Sequence, residues 1–361
     1  MKKALYIFGM IVAYTLMCCD NGIDPITEVD PGPDQSPPIV KINFPADGLE
    51  IQVKEDVIPI TIKFEVDDDI EVASIEAKMD GKTIGQYSSF KDYRRIIIDD
   101  LVYTNLTNGE HTLIVTSIDT DGKETTEVSN FLKKEAYKPI YDGETFYMPF
   151  NGDYTELVSV TTANEIGSPS FAGESVVGPN AYLGATDSYL TFPTEGLLGE
   201  EFSATFWYKV NADPDRAGIL VISPPDEENP DSPNDRTKGI RFFRENANGN
   251  QRLKLNIGTG SGETWVDGAE AADIASNSDW VQVAFTISAT KAIVYIDGQI
   301  VKEVDFVGVD WTGCDLLSIG SGSPRFTGWG HLSDLSEIDE LRIYNKALTQ
   351  QEIQDIRAAD L

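Results

Sequence analysis

Apolar and polar residues alternate along most of this chain, in short runs broken by Gly, Pro, Asn and Asp, and a side-chain period of two is that of β-strands. In the first half the pattern predicts strands over 40–44, 58–66, 72–79, 94–100, 111–118 and 127–132. Asp80-Gly81 and Asp121-Gly122 read as hairpin turns, because both residue types accept positive φ. Beyond residue 145 the runs become longer and more aromatic, and predict strands over 146–150, 180–183, 188–192, 202–210, 217–223, 238–244, 251–257, 280–288, 292–296, 299–305 and 316–321. Tyr295-Ile296-Asp297-Gly298-Gln299-Ile300 is the clearest hairpin. The last strand, 337–344, sets Ile338, Leu341 and Ile343 among charged residues, and its alternation slips once near Glu340. Then the period changes. Leu348, Ile353 and Ile356 recur at helical spacing, and Thr349 with Glu352 three residues later forms a capping box.

These elements predict an all-β chain of two domains: a β-sandwich of immunoglobulin type over 39–133, then two large sheets packed face to face over 145–361, closed by a short helix. The length of 361 residues agrees, since a single core stops growing at roughly 250–300 residues. The polar stretch 134–144, with Pro139 near its middle, reads as the linker. Residues 19–38 are rich in Pro, Gly and acid and contain no Lys or Arg, which predicts an extended tether.

Residues 1–18 read as a secretory signal peptide: Lys2 and Lys3 precede an apolar run too short to span a bilayer. Its end, Leu16-Met17-Cys18-Cys19, resembles the lipobox of bacterial lipoproteins. That resemblance implies lipidation at Cys19, with Cys18 as the fallback; an ordinary cleaved signal is the other reading. Asp20 and Asp24, just beyond, resemble the acidic export signals of some surface lipoproteins, so the expected location is the outer membrane, lipid-anchored at the cell surface.

Composition narrows the chemistry. Sixty acids against 28 bases give a formal net charge of −32, which repels phosphate backbones and excludes nucleic acid as a partner. With Cys18 and Cys19 assigned to export, Cys314 is left without a thiol to pair with and reads as a small buried hydrophobe beside Leu316 and Leu317. The two histidines, His111 and His331, read as turn residues, and no Gly-rich phosphate loop or zinc-spaced Cys/His set is present. Asp67-Asp68-Asp69 reads as a solvated strand end, with a calcium site as the alternative.

Five segments occur in one order: Tyr147-Met148-Pro149-Phe150-Asn151-Gly152, Ala204-Thr205-Phe206-Trp207-Tyr208-Lys209-Val210, Asp279-Trp280-Val281-Gln282-Val283-Ala284-Phe285-Thr286, Val294-Tyr295-Ile296-Asp297-Gly298 and Ile338-Asp339-Glu340-Leu341-Arg342-Ile343-Tyr344 with its helix. Together they resemble the laminin-G-like, concanavalin A-like jelly rolls of bacterial surface proteins. The resemblance implies a structural Ca²⁺ held by Asp339 with Asn151 or Asp153. It also raises a β-glucanase, whose strand motif of spaced carboxylates Glu337-Ile338-Asp339-Glu340 begins to match. Leu341 and Arg342 stand where the third carboxylate would fall, and the strand period predicts Glu340 on the face opposite Glu337 and Asp339. No catalytic residue is therefore assigned.

Carbohydrate binding is the favoured function. Trp207 and Trp280 lie in strand motifs and read as core, whereas Trp265, Trp311 and Trp329 lie in Gly-, Thr- or Asp-bearing stretches read as loops, where sugar rings could stack. Arg241, Arg244 and Asn256 are candidate polar companions on one sheet face. The acidic insert 224–235 reads as a mobile excursion, with a contact loop as the alternative. The expected role is a surface glycan-binding lipoprotein serving a polysaccharide-uptake system with an outer-membrane transporter. The competing readings are an adhesion or scaffold protein that binds another protein, and a glycoside hydrolase.

Overall fold

A computed structural model describes residues 32–361; the predicted signal peptide, Cys18, Cys19 and the first part of the tether lie outside the described residues. The chain divides into two units. One runs to Ile51 and resumes over Val57–Lys133; the other takes Gln52–Asp56 and Lys134–Leu361. Almost all regular structure is β, and one α-helix, Gln350–Asp360, ends the described chain.

The smaller unit is an immunoglobulin-type sandwich. Ile39–Phe44, Ile58–Asp67 and Arg95–Leu106 form one sheet in that order. The other runs Glu50–Ile51, Glu124–Lys133, Gly109–Asp119, Val72–Met79, Lys82–Tyr87, its first strand parallel to its neighbour. Phe64, Val66, Ile75, Ala77, Leu113 and Val115 fill the space between the sheets. Asp80 and Gly81 both take positive φ, 50° and 77°, as a type I′ turn requires. That turn feeds the edge strand Lys82–Tyr87, which hydrophobic alternation did not reveal because its residues are mostly exposed or half-buried. The end of the tether is fastened rather than free: Asp34 pairs with Lys123 at 2.8 Å, and the Gln35 N–H donates to Asp69.

The larger unit is a jelly-roll sandwich. Its first sheet runs Ser170–Phe171, Tyr182–Leu183, Glu337–Tyr344, Phe202–Lys209, Val281–Ile287, Lys291–Ile296, Gln299–Asp305, and Glu144–Met148 also pairs with the closing strand. The second runs Asn164–Ile166, Tyr189–Pro193, Leu316–Ile319, Arg216–Ile222, Ile240–Ala247, Asn250–Gly258, Glu263–Asp267. Phe206 and Phe285 from the first sheet meet Phe242 from the second, with ring centroids 6.1 and 5.0 Å away. Each such buried aromatic ring contributes about 1.5–3 kcal/mol by leaving water. Cys314 is buried in this core, and burial pushes its thiol up to about 11.

The closing strand carries the slip near Glu340 as a β-bulge. Glu340 takes φ 52°, and the pairing with Phe202–Lys209 shifts register between Thr205 and Trp207. The extra residue lets Ile338, Leu341 and Ile343 all enter the inter-sheet core despite their uneven spacing. It also corrects the expectation for Glu340, which lies on the same outer face as Asp339 and Arg342. The helix behind this strand keeps its capping box, with Thr349 accepting from the Glu352 N–H and Glu352 reaching back to Thr349.

Candidate functional site

Alternation along Ile240–Ala247 sends Ile240 and Phe242 into the inter-sheet core, which leaves Arg241 and Phe243 on the outer face of the second sheet. Register extends this face sideways: Arg241 lies opposite Asn256, and Asn256 opposite Trp265. Trp265 is in a strand, Glu263–Asp267, and not in a loop as expected. That strand is short, acid-flanked and at the sheet edge, so its pattern is weak. Arg244 is in phase with Phe242 and therefore belongs to the inner face, away from Arg241 and Asn256. There its guanidinium donates to Asp334 at 2.9 Å, to the Pro214 carbonyl and to Gln251, all out of solvent.

Two loops cover this outer face. Ser321 pairs with Ser333 to close the first, and inside it Phe326 and His331 stack at 4.8 Å while His331 meets Phe243 at 4.4 Å. His331 is fully buried; its Nε2 lies 3.1 Å from Glu245, whose carboxyl it holds down to about 2. This packed base carries Trp329, whose ring lies parallel to Trp265 at 5.9 Å and 12°. Both indoles are half-buried.

The second loop is the acidic insert. Its Pro233 carbonyl accepts from the N–H groups of Thr327 and Gly328, so the insert is pinned to the tryptophan loop. The approach requires glycine: a Cβ on Gly328 would stand 2.9 Å from Asn234 and 3.0 Å from the Ser232 carbonyl. Past this contact Arg236 lays its guanidinium 4.3 Å over the Trp329 ring and pairs with Glu263 at 2.9 Å. Glu263 also accepts from Asn256, while Arg241 donates to Asn256, Asp235 and Lys238 and is pushed down to about 10 by burial. Arg241 and Asn256 thus form the buried floor and do not face solvent.

An open cleft of about 760 Å³ lies between the insert, Gly262–Glu263 and Thr312–Gly313. Arg236, Glu263 and Asn234 line it and connect it to the paired tryptophans. None of these three stood out in the sequence, although the alternation Glu263-x-Trp265 carries the signal. Trp311 sits elsewhere: its ring packs 5.5 Å from Phe202 in the core and its N–H donates to the Gly199 carbonyl. Trp207 is buried beneath the C-terminal helix, donating to Asp360, whereas Trp280 precedes its strand and is half-buried, contrary to the core expectation.

The residues assigned to calcium are arranged for another purpose. Asp339 accepts from the N–H groups of Val176, Val177 and Glu340 at 2.8–3.0 Å, so both its oxygens are engaged by backbone donors. Burial nevertheless pushes its carboxyl up to about 6. Asp153 turns back to the Thr155 N–H, and Asn151 is exposed beside Gly178. No cluster of three or more His, Cys, Asp or Glu suited to a metal occurs among the described residues. This donor set does not fit Ca²⁺, which takes six to eight oxygens. Glu340 is tied to Arg342 at 2.6 Å and to the Tyr147 hydroxyl, and Glu337 lies 3.7 Å from Lys209.

Residues 183–354, just under half the chain, match the family described as the concanavalin A-like lectin/glucanases superfamily. No curated protein matches the chain. Domain 4 of AbnA, a GH43 extracellular arabinanase from Geobacillus stearothermophilus solved with arabinotriose, is similar at 18% identity and a TM-score of 0.46, over 59% of this chain and 97% of that one. The botulinum neurotoxin serotype C1 binding domain is similar at 15% identity and 0.43, over 61% of this chain and 53% of that one. The receptor binding domain of botulinum neurotoxin D gives 13% and 0.44, over 60% and 53%. This chain thus spans about half the length of those two neurotoxin chains. Over residues 183–354 the chain is thus similar in sequence to the concanavalin A-like lectin/glucanases superfamily.

Proposed function

We propose that the larger unit binds carbohydrate at the Trp265–Trp329 pair and its adjoining cleft, without hydrolysing it. The observation that carries this reading is the parallel pair of half-buried indoles beside an open polar cleft. Sugar rings present apolar C–H faces that stack on such planes, while carboxylates and amides along the cleft take the hydroxyls. The buried floor of Phe243, His331 and Phe326 holds Trp329 in place before a ligand arrives, which reduces the ordering cost of binding. The loss of hydrolysis is supported by the closing strand, where Asp339 and Glu340 are buried and already bonded to backbone N–H groups, Arg342 and Tyr147.

In this reading the chain is lipidated at Cys19 and displayed on the outer membrane, delivering polysaccharide to a transporter, with the smaller unit as spacer. Labelled palmitate should enter the wild-type chain and not Cys19→Ala. Calorimetry with soluble polysaccharides tests the binding: Trp329→Ala and Trp265→Ala should each abolish the heat seen with wild type. Full retention of affinity in both variants would sink the assignment. Protein-only capture, with no glycan response, would favour the adhesion reading instead.

A further inference from the structure

The cleft has a charge character that selects among glycans. Five carboxylates line it, those of Asp226, Glu227, Glu228, Asp235 and Glu263, against the cations of Arg236 and Lys238. Arg236 is paired with Glu263 at 2.9 Å and lies over Trp329, which leaves Lys238 against four carboxylates. Asp226 is fixed as an anion in the wall: the N–H groups of Asn234 and Asn229 bond its oxygens and hold its carboxyl below the usual range. The Asn234 amide oxygen adds a buried acceptor with no hydrogen-bond partner among the described residues. The cleft therefore offers acceptors in excess, and its occupant must supply donors and no negative charge.

We propose that this cleft takes an uncharged, hydroxyl-rich glycan and rejects chains that carry carboxylate or sulfate groups. The inference rests on the reading that this surface binds glycan, and adds the class of ligand. Hydroxyl groups donate to the Glu227 and Glu228 oxygens while a ring face meets the indoles. A uronate or sulfate ester placed there meets like charge at close range. Salt weakens this exclusion, because the carboxylates of the cleft stand close to solvent.

The test runs the full chain through native gels containing neutral polysaccharides, such as arabinan, xylan and galactomannan, and anionic ones, such as polygalacturonate, alginate and chondroitin sulfate. Retardation should be confined to the neutral set. A retained polysaccharide is then compared by calorimetry in two derivatives of equal substitution, hydroxyethylated and carboxymethylated. The carboxymethyl form should bind about tenfold more weakly at low salt, roughly 1.4 kcal/mol, and the gap should close at high salt and in Glu227→Gln/Glu228→Gln. Retardation by anionic chains, or equal affinity for the two derivatives, overturns the inference while leaving glycan binding intact. Retardation by none of the polysaccharides overturns the glycan reading, and this inference with it.

Discussion

Asp339 makes a prediction that separates a backbone-bound carboxylate from a calcium ligand. Its carboxyl is pushed up to about 6, from a reference value of 3.8, because burial outweighs the three N–H bonds to Val176, Val177 and Glu340. A carboxyl with a raised folded value favours its protonated form in the fold. Its contribution to stability is therefore complete below about pH 4, is lost as pH rises to about 6, and is flat above. Two pKa units correspond to about 3 kcal/mol. Asp339→Asn cannot ionise, so the difference between wild type and variant isolates this contribution. All five tryptophans, Trp207, Trp265, Trp280, Trp311 and Trp329, lie in the larger unit, so tryptophan fluorescence of the full chain during urea unfolding reports on that unit alone. Measured from pH 4 to 7, wild type should lose about 3 kcal/mol relative to the variant. A bound cation would favour the ionised form and reverse the slope. A difference that rises with pH, or wild-type stability at pH 7 that increases on adding calcium, would refute the reasoning.

Other outcomes follow from the packing. Trp311→Ala should lower the stability of the larger unit by about 3 kcal/mol, the cost of truncating a core-packed aromatic, and leave glycan affinity unchanged, whereas Trp329→Ala should do the reverse; urea unfolding and calorimetry on both variants read this. Arg244→Ala leaves Asp334 buried without its cation and should cost about 3–5 kcal/mol, visible as a lowered urea midpoint. Thr349→Ala removes the helix cap and should cost about 1 kcal/mol, measurable as faster amide exchange over Gln350–Asp360.

Architecture was legible because it rests on local pattern. The capping box at Thr349, the Asp297-Gly298 turn and the slip at Glu340 were each readable from a few residues, and each appears in the fold, with φ of 50° and 71° at the turn. The face of Glu340 was not legible, because a bulge changes which side a residue takes and period two assumes none. The candidate site was read only in part. Trp265 and Trp329 are 64 positions apart, and what brings them together is cross-strand register joined to a loop that folds over a sheet. Arg241, Arg244 and Asn256 read as polar companions from their places in strands, yet burial commits them to structural pairing. Arg236 was not legible because it directly follows the acidic insert and its position depends on the Pro233 carbonyl bonds to Thr327 and Gly328.

Those two bonds have a consequence for how the molecule can be altered. The acidic insert and the tryptophan loop are separate in sequence but form one cassette, joined at Pro233 and sealed by Gly328. Exchanging the insert alone would unseat Arg236, which follows it directly and covers Trp329, and exchanging the tryptophan loop alone would remove the ring over which Arg236 lies. A change of ligand preference in this scaffold therefore travels as a matched pair of loops, while the sheets beneath can stay as they are.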